Sequence, residues 1–446
     1  MRKTVLTSLT TLLIVLLLDE CQPATETQRP MISNVTIKKQ NEQYNFYVND
    51  QLFKIKGVGL SGRSDKFKAL KDAGGNSFRT WSTRGGSQSL DSAAKYGFMV
   101  AMGLDIEKEL HGFDYNDDTA VAKQLERLKG EVDEYKNHPN LLSWVAGNEL
   151  NLLFDEDGAM KLVNPKTYIA LKELVDYIHE VDPYHPVTTT FAGIHKDQIE
   201  HALSYCPNLD FISYQVYGSL NEISEKVAAT DVTLPYVVTE FGPVGHWERP
   251  STSWGREIEE TSTEKAIGLK ERLRNGLDGD ASGLSMGGYA FLWGQKQERT
   301  PTWYGMFLKT GEAIGTVDVL TKYWSGKDPV NLAPEIKSLT LDGMIATDNI
   351  TLSPKQEVVA SLQASDANQD ELTYQWFVLT EVKNRSQGGA FEKEPDEVKL
   401  DITSEQPGIL QFAVPDTPSE YRLFCYAFDG KGKVATANIP FLITGD

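Results

Sequence analysis

From residue 53 onward, the chain shows two alternating patterns of apolar and polar positions. Eight short apolar, β-branched runs are separated by segments in which apolar residues recur every three or four positions. The short runs are typical of buried strands and the segments of amphipathic helices. Eight such units over about 275 residues predict an α/β fold, the (β/α)8 barrel. The predicted strands are 53–60, 77–81, 98–104, 141–149, 186–193, 210–218, 235–242 and 284–294.

The pattern changes on both sides of this region. In residues 31–50, polar and apolar positions alternate on both sides of Asn41 and Glu42. This pattern predicts a hairpin that plugs the barrel. Residues 325–334 carry two prolines and no period, as in a linker, and short strand-like runs follow, which predict an all-β sandwich. We therefore divide the chain into four parts. These are a leader and tether (1–30), the barrel with its hairpin (31–326), a linker (327–334) and the sandwich (335–446).

The first residues resemble an export signal. Arg2 and Lys3 precede an apolar run from Val5 to Leu18, which is shorter than a bilayer span. Cys21 follows the run as in a lipoprotein acylation site, although acidic residues stand where a small residue is expected. Two alternatives stay open, secretion and attachment to a membrane through Cys21. The predicted location is the periplasm, the outer membrane or the exterior.

Charge and cysteine content exclude several classes of function. The chain has 44 Lys and Arg against 63 Asp and Glu, a net charge of −19, which repels nucleic acids. Its three cysteines have no metal-binding spacing, and no glycine-rich nucleotide-binding motif follows a strand. We therefore predict no metal and no cofactor.

Two glutamates end predicted strands of the barrel. Glu149 closes the fourth strand and Glu240 lies near the end of the seventh, each after an apolar run. Catalytic groups of such barrels project from these strand ends, and a carboxylate there is costly to bury without a partner. Two facing carboxylates are what hydrolysis of a glycosidic bond requires. An isomerase could use such a pair, but would more often add a lysine, histidine or metal.

The motifs around these glutamates resemble the retaining glycoside hydrolases of clan A over residues 45–325. The segment from Asn137 to Glu149, NHPNLLSWVAGNE, is similar to a signature of family 2 barrels. Residues 48–58, which lead into the first strand, are also similar to the corresponding part of those barrels. The order of the motifs Phe-Arg79-Thr-Trp, Gly-Asn-Glu149, Tyr-Gln-Val-Tyr217 and Thr-Glu240-Phe-Gly is also similar to that of β-1,3-glucanosyltransferases and of laminarin-degrading members with an immunoglobulin-like domain. This resemblance implies that the sandwich of residues 335–446 is immunoglobulin-like.

This resemblance implies roles for five residues. Glu149 would be the acid/base and Glu240 the nucleophile. Asn148 would bind the 2-hydroxyl of the sugar, while Arg79 and Tyr217 would hydrogen-bond the nucleophile. A guanidinium near Glu240 would also favour its charged form.

Aromatic residues near the strand ends are candidates for stacking on the apolar faces of sugars. Trp81, Trp293 and Trp303 lie in or just after the second and eighth strands, and Trp293 is the preferred platform. Trp247 and Trp254 lie in a long loop after Glu240, and such loops are often functional. They could line an extended cleft.

The sandwich contains one candidate for cation binding. Asp366, Asn368 and Asp370 offer oxygen atoms at alternate positions, a spacing that suits calcium and that turn formation explains equally well.

The sequence therefore predicts an exported retaining β-glycosidase, with a β-linked polysaccharide or oligosaccharide as its partner. The favoured substrate is a β-glucan of the β-1,3-linked, laminarin type. The alternatives are a β-glucan transglycosylase, a β-galactosidase or mannanase of the same clan, and a carbohydrate-binding surface protein without activity. The intact Glu149 and Glu240 argue against the last.

Overall fold

The computed structural model describes residues 32–386 and 388–445. The predicted export signal and Cys21 lie outside these residues. In the described part, no helix is long and apolar enough to cross a membrane. Cys206 and Cys425 are buried free thiols.

Three antiparallel strands precede the barrel: β1 (Val35–Gln40), β2 (Gln43–Val48) and β3 (Gln51–Phe53). Asn41 and Glu42 form the two-residue turn between β1 and β2, both with positive φ, as hairpin turns of this length require. Val35 and Phe46 pack against barrel residues, among them Phe211. The predicted hairpin is present, and its apolar face contributes to the core of the barrel.

A parallel sheet forms the barrel, as the sequence predicted. Its two terminal strands in the sheet order, β8 and β9, are separated in the chain by Thr189 alone, so the sheet returns to itself. Each predicted run contains at least one observed strand. In chain order the strands are β4 (Gly57–Gly59), β5 (Ser77–Arg79), β6 (Met99–Leu104), β7 (Leu141–Ala146), β8 (Val187–Thr188), β9 (Thr190–Ala192), β10 (Ile212–Gln215), β11 (Tyr236–Phe241) and β12 (Ser285–Ala290).

Helices connect these strands, and polar residues mark several of their ends. The Asp117 side chain accepts hydrogen bonds from two backbone amides at the start of α3, and Thr261 with Glu264 forms a capping box on α7. The helices are α1 (Phe67–Asp72), α2 (Gly86–Tyr96), α3 (Asp118–Tyr135), α4 (Pro165–Val181), α5 (Lys196–Tyr205), α6 (Ile223–Ala228), α7 (Ser262–Arg272) and α8 (Gly315–Ser325).

Two sheets follow the barrel and enclose a second apolar core. The strands are β13 (Glu335–Leu341), β14 (Thr351–Leu352), β15 (Glu357–Ser365), β16 (Thr373–Thr380), β17 (Glu397–Val398), β18 (Asp401–Gln406), β19 (Ile409–Ala413), β20 (Ser419–Phe428) and β21 (Val434–Ile443). One sheet has the order β13-β15-β19-β18 and the other β14-β21-β20-β16-β17. This is consistent with the predicted sandwich, and its immunoglobulin-like character stays a prediction.

Barrel and sandwich belong to one compact unit. The Asn438 side chain donates a 2.6 Å hydrogen bond to Glu259, and the backbone amide of Thr436 donates one of 2.8 Å to Ser262. Residues 327–334 contain no helix or strand, as the linker prediction expects, but Asn368 hydrogen-bonds two of their backbone groups. These bonds hold the sandwich against the barrel.

Candidate active site

A cleft of about 1010 Å³ opens among residues that follow the barrel strands. It is lined by five of the predicted site residues, Trp81, Asn148, Glu149, Tyr217 and Glu240. The carboxyl ends of parallel strands meet at one face of a barrel, which is why residues far apart in the chain gather here.

Glu240 lies on β11 with 7% of its side chain exposed, and four donors surround its carboxylate. Arg79 Nη1 at 3.1 Å, Trp81 Nε1 at 2.7 Å and Gln215 Nε2 at 3.1 Å all donate to Oε1. The hydroxyl of Tyr217 donates to Oε2 at 2.8 Å. Hydrogen bonds of this kind stabilise the ionised carboxylate and fix its orientation.

Arg79 connects Glu240 to Asn148. Its side chain is fully buried, and Nη2 donates to Asn148 Oδ1 at 2.9 Å. Gln215 Nε2 donates to the same oxygen at 2.6 Å. Because two donors occupy the amide oxygen, the amide nitrogen of Asn148 is left to donate to a ligand in the cleft.

The hydroxyl of Tyr217 remains protonated at neutral pH. Burial raises its pKa well above the ordinary value, and the charge of Glu240 acts in the same direction. The group therefore donates its proton to Glu240 rather than losing it. The predicted contacts of Arg79 and Tyr217 with Glu240 are both present in the structure.

Glu149 lies in different surroundings. It follows β7 in the left-handed backbone region (φ 55°), with its amide bonded to Thr190 Oγ1 at 2.8 Å. Its carboxylate lies 3.8 Å from Lys108 Nζ. Burial raises the pKa of Glu149 to about 7; Lys108 opposes this shift, and Glu240 adds to it. Glu149 is therefore partly protonated at neutral pH.

This arrangement places a carboxylate that accepts four hydrogen bonds and a partly protonated carboxyl group in a single cleft. Such a difference in surroundings suits Glu240 to act as the nucleophile and Glu149 to act as the acid. His246 also lines the cleft, but burial lowers its pKa to about 3, so the neutral ring cannot serve as the acid.

Two of the predicted aromatic platforms are wrong. Trp293 is fully buried, donates through Nε1 to Lys66 O and packs on Phe307. Trp303 is 1% exposed and donates to Val244 O. Neither lines the cleft. The sequence placed both tryptophans near the eighth strand. An indole near a strand end can be buried in the core instead of facing the cleft, as both are here.

Two other tryptophans do reach the cleft. Trp81 lies in its wall, where it serves as a hydrogen-bond donor to Glu240. Trp247, in the long loop after β11, lines the cleft with 61% of its surface exposed and its ring 5.5 Å from that of Tyr217. Trp254 is partly buried and lies outside the described lining.

Sequence reasoning missed Gln215 and Lys108. Gln215 stands in the Tyr-Gln-Val-Tyr motif that identified Tyr217, and its place at the end of a strand was the available signal. Lys108 lies in a loop before α3, and no periodicity or motif marks it. Its approach to Glu149 depends on loop geometry alone.

Asp366, Asp370 and Asp429 form an acidic cluster in the sandwich. Asp366 accepts hydrogen bonds from the backbone amides of Asn368 and Asp370, which is turn formation. Lys431 Nζ lies 2.5 Å from Asp370. Asn368 faces the linker, as described above. Turn formation therefore accounts for Asp366 Oδ1, whereas Asp366 Oδ2 and Asp370 Oδ2 are buried without a hydrogen-bond partner, and calcium binding here stays a prediction.

Comparison with known proteins identifies a family model that matches part of the barrel. Residues 40–246, which include both glutamates, match the model of the family 2 glycosyl hydrolases, TIM barrel domain. A β-glucuronidase of Paenibacillus borealis is 24% identical over 268 residues, 51% of this chain and 42% of the relative. This chain thus spans less than half the length of that relative.

Solved structures of similar fold are also β-glucuronidases. The structure of the Bacteroides uniformis β-glucuronidase has a TM-score of 0.53 at 16% identity. The match covers 92% of this chain and 48% of the B. uniformis chain. The structure of the Ruminococcus gnavus β-glucuronidase has a TM-score of 0.50 at 18% identity. The match covers 67% of this chain and 53% of the R. gnavus chain. The comparisons support the predicted retaining glycoside hydrolase, and the β-1,3-glucan preference stays a prediction.

Proposed function

We propose that this protein is a retaining β-glycosidase that acts by double displacement. A Glu240 oxygen attacks the anomeric carbon while Glu149 gives its proton to the departing glycosidic oxygen, which leaves a covalent glycosyl-enzyme. Glu149 then takes a proton from water, which attacks the same carbon and releases Glu240. The observation that carries the proposal is the contrast between the four-donor Glu240 and the buried, high-pKa Glu149.

The charge of the cleft supports a neutral glycan as substrate. Six carboxylates and four Lys or Arg side chains are among its described lining residues. Each of the four cations lies within 4 Å of a carboxylate, the pairs being Lys108 with Glu149, Lys226 with Glu222, Lys296 with Glu298, and Arg299 with Glu257 and Glu392. Among the described lining residues, every Lys or Arg side chain thus has a carboxylate partner, which leaves no unpaired cation to favour an anionic sugar. We therefore favour a β-glucan.

Within the β-glucans, we propose the β-1,3 linkage. This choice rests on the order of the motifs around Arg79, Glu149, Tyr217 and Glu240, which is similar to that of glucan-acting members of the clan. The second candidate is a β-glucuronide, because the similar proteins named above are β-glucuronidases.

A substrate panel separates these candidates. Purified protein is incubated with laminarin, mannan, and aryl β-glucoside, β-galactoside and β-glucuronide. Release of short oligosaccharides from laminarin supports the proposal, whereas turnover of the glucuronide alone would replace it with the second candidate. No turnover of any substrate would contradict a glycosidase.

Proton NMR of the first-formed reducing ends tests the mechanism. Retention requires the two carboxyl groups to lie about 5–5.5 Å apart, and it predicts an initial β-anomer signal. An initial α-anomer would show inversion and contradict the assigned roles.

We also propose that the protein is exported. Arg2, Lys3 and the apolar run that follows are the basis of this proposal. Fractionation of cells that express the full chain tests it, and recovery in the cytoplasm with an intact N-terminus would contradict it. Radiolabelled fatty acid on the wild type and not on Cys21→Ala would identify a lipid anchor.

A further inference from the structure

The sandwich contributes to the cleft of the barrel. Between β16 and β17, residues 381–386 and 388–396, which we call the cleft segment, extend over the mouth of the barrel. Ser386, Gly388, Gly389 and Ala390 of this segment are among the residues that line the cleft. One wall of the candidate active site therefore belongs to the second domain.

A buried ion pair holds the cleft segment in place. Glu392 is 3% exposed and accepts hydrogen bonds from Arg299 Nη1 at 3.2 Å, Arg299 N at 2.7 Å and Gln297 Nε2 at 3.1 Å. Arg299 Nη1 also donates to Ser386 O at 3.2 Å. Charge-assisted bonds of this kind fix a segment firmly when they are shielded from water.

The cleft segment lies on the Glu149 side of the cleft. Lys108 Nζ donates to Gly388 O at 3.2 Å and lies 3.8 Å from the Glu149 carboxylate. A Cβ on Gly388 would come within 2.8 Å of Leu110 and 3.2 Å of Leu152, so the segment packs closely on the barrel here. Since the acid protonates the leaving-group oxygen, this side of the cleft faces the leaving group.

We propose that the cleft segment forms the leaving-group subsite and selects a glycan as the leaving group. Phe391 follows the cleft-lining Ala390 and is 90% exposed, which offers an apolar face to a sugar ring beyond the bond that is cleaved. The proposal rests on the function proposed above. It makes the sandwich part of the substrate-binding site rather than a spacer.

The first test displaces the cleft segment with a larger side chain at its contact with the barrel. Gly388→Leu places a side chain against Leu110 and Leu152, whereas the control Gly343→Leu has the same left-handed strain (φ 77° against 58°) with nothing within 4 Å. Gly388→Leu should lower kcat/KM for a short β-1,3-linked gluco-oligosaccharide by about tenfold or more, through KM. For β-glucosyl fluoride, whose leaving group is a single atom and does not fill this subsite, the change should stay within about twofold.

The second test removes a side chain without disturbing the fold. Phe391→Ala should raise KM for the oligosaccharide and leave the turnover of β-glucosyl fluoride unchanged, because fluoride is too small to contact this side chain. Glu394→Gln is the matched control, because Glu394 lies on the same segment and pairs with Lys309, but stands four residues from the cleft-lining Ala390, which Phe391 directly follows. This control should behave as the wild type on both substrates.

The outcomes separate the subsite from the proposed function. Wild-type protein that turns over neither the aryl glycosides nor any glycan contradicts the proposed function. Active wild type with Gly388→Leu and Phe391→Ala kinetically equal to it, or with losses equal on both substrates, overturns the subsite and leaves the glycosidase intact. Thermal unfolding of each variant shows that the fold is retained.

Discussion

The two sides of the cleft differ in the groups that surround their proposed catalytic glutamates. Around Glu240 the barrel alone provides four hydrogen-bond donors, which lie at the ends of two strands, β5 and β10. Around Glu149, Leu152, Phe154 and Met160 are among the lining residues, and the sandwich provides the wall beyond Lys108. The same residue type is thus held by hydrogen-bond donors on one side and kept partly protonated by burial on the other, so the surroundings decide the role of each carboxyl group.

The largest effect is expected from Glu240→Ala. Loss of the nucleophile should reduce kcat on the order of 10⁶-fold, the scale that removal of a covalent nucleophile produces. Azide should restore turnover of an aryl β-glucoside by replacing the missing group, and this rescue also shows that the variant is folded. Near-normal activity without azide would remove Glu240 from the mechanism.

Glu149→Ala should have a smaller effect that depends on the leaving group. General acid catalysis contributes about 10²–10⁴-fold, so hydrolysis of an oligosaccharide should fall by that factor. An aryl β-glucoside with an acidic phenol needs little protonation, and its glycosylation step should be nearly unaffected. Pre-steady-state release of phenol measures that step. Equal loss on both substrates would contradict the role of acid.

Trp81→Phe isolates one of the four donors to Glu240. The ring stays, while the 2.7 Å hydrogen bond from Nε1 is lost. A bond to a charged group contributes about 1.5–3 kcal/mol, so kcat should fall by roughly 10- to 100-fold. Trp293→Phe is the control, because it removes an indole donor from a buried site outside the cleft and should lower only the unfolding temperature. An unchanged kcat in Trp81→Phe would mean that three donors suffice.

The smallest effect is a change in the pH profile. Because glycosylation needs protonated Glu149, activity should fall as the pH rises through about 7, the pKa that burial gives this group. Lys108 lowers that pKa, so Lys108→Met should move the alkaline limb of kcat/KM to higher pH. A limb that stays in place, or moves to lower pH, would show that Lys108 does not act on Glu149.

Much of the barrel and the centre of the site followed from local patterns. Glu149 and Glu240 each end a continuous apolar run, and a strand that is buried on both faces leaves only its end for chemistry. Arg79 and Tyr217 also stand at strand ends, and both contact Glu240 as predicted. Trp293 was misplaced because its neighbours in sequence do not reveal whether its ring points into the cleft or beneath it.

Local patterns were enough to predict the alternation of strands and helices, a barrel followed by a sandwich, and the two carboxylates. These depend on periodicity and on residue type, which are local properties of the chain. The folded chain was needed to show that Lys108 approaches Glu149, that Gln215 joins Asn148 to Glu240, and that Glu392 holds a segment of the sandwich beside the cleft. Such contacts join residues up to 280 positions apart, and loop geometry and domain packing set them rather than any pattern within a window of sequence.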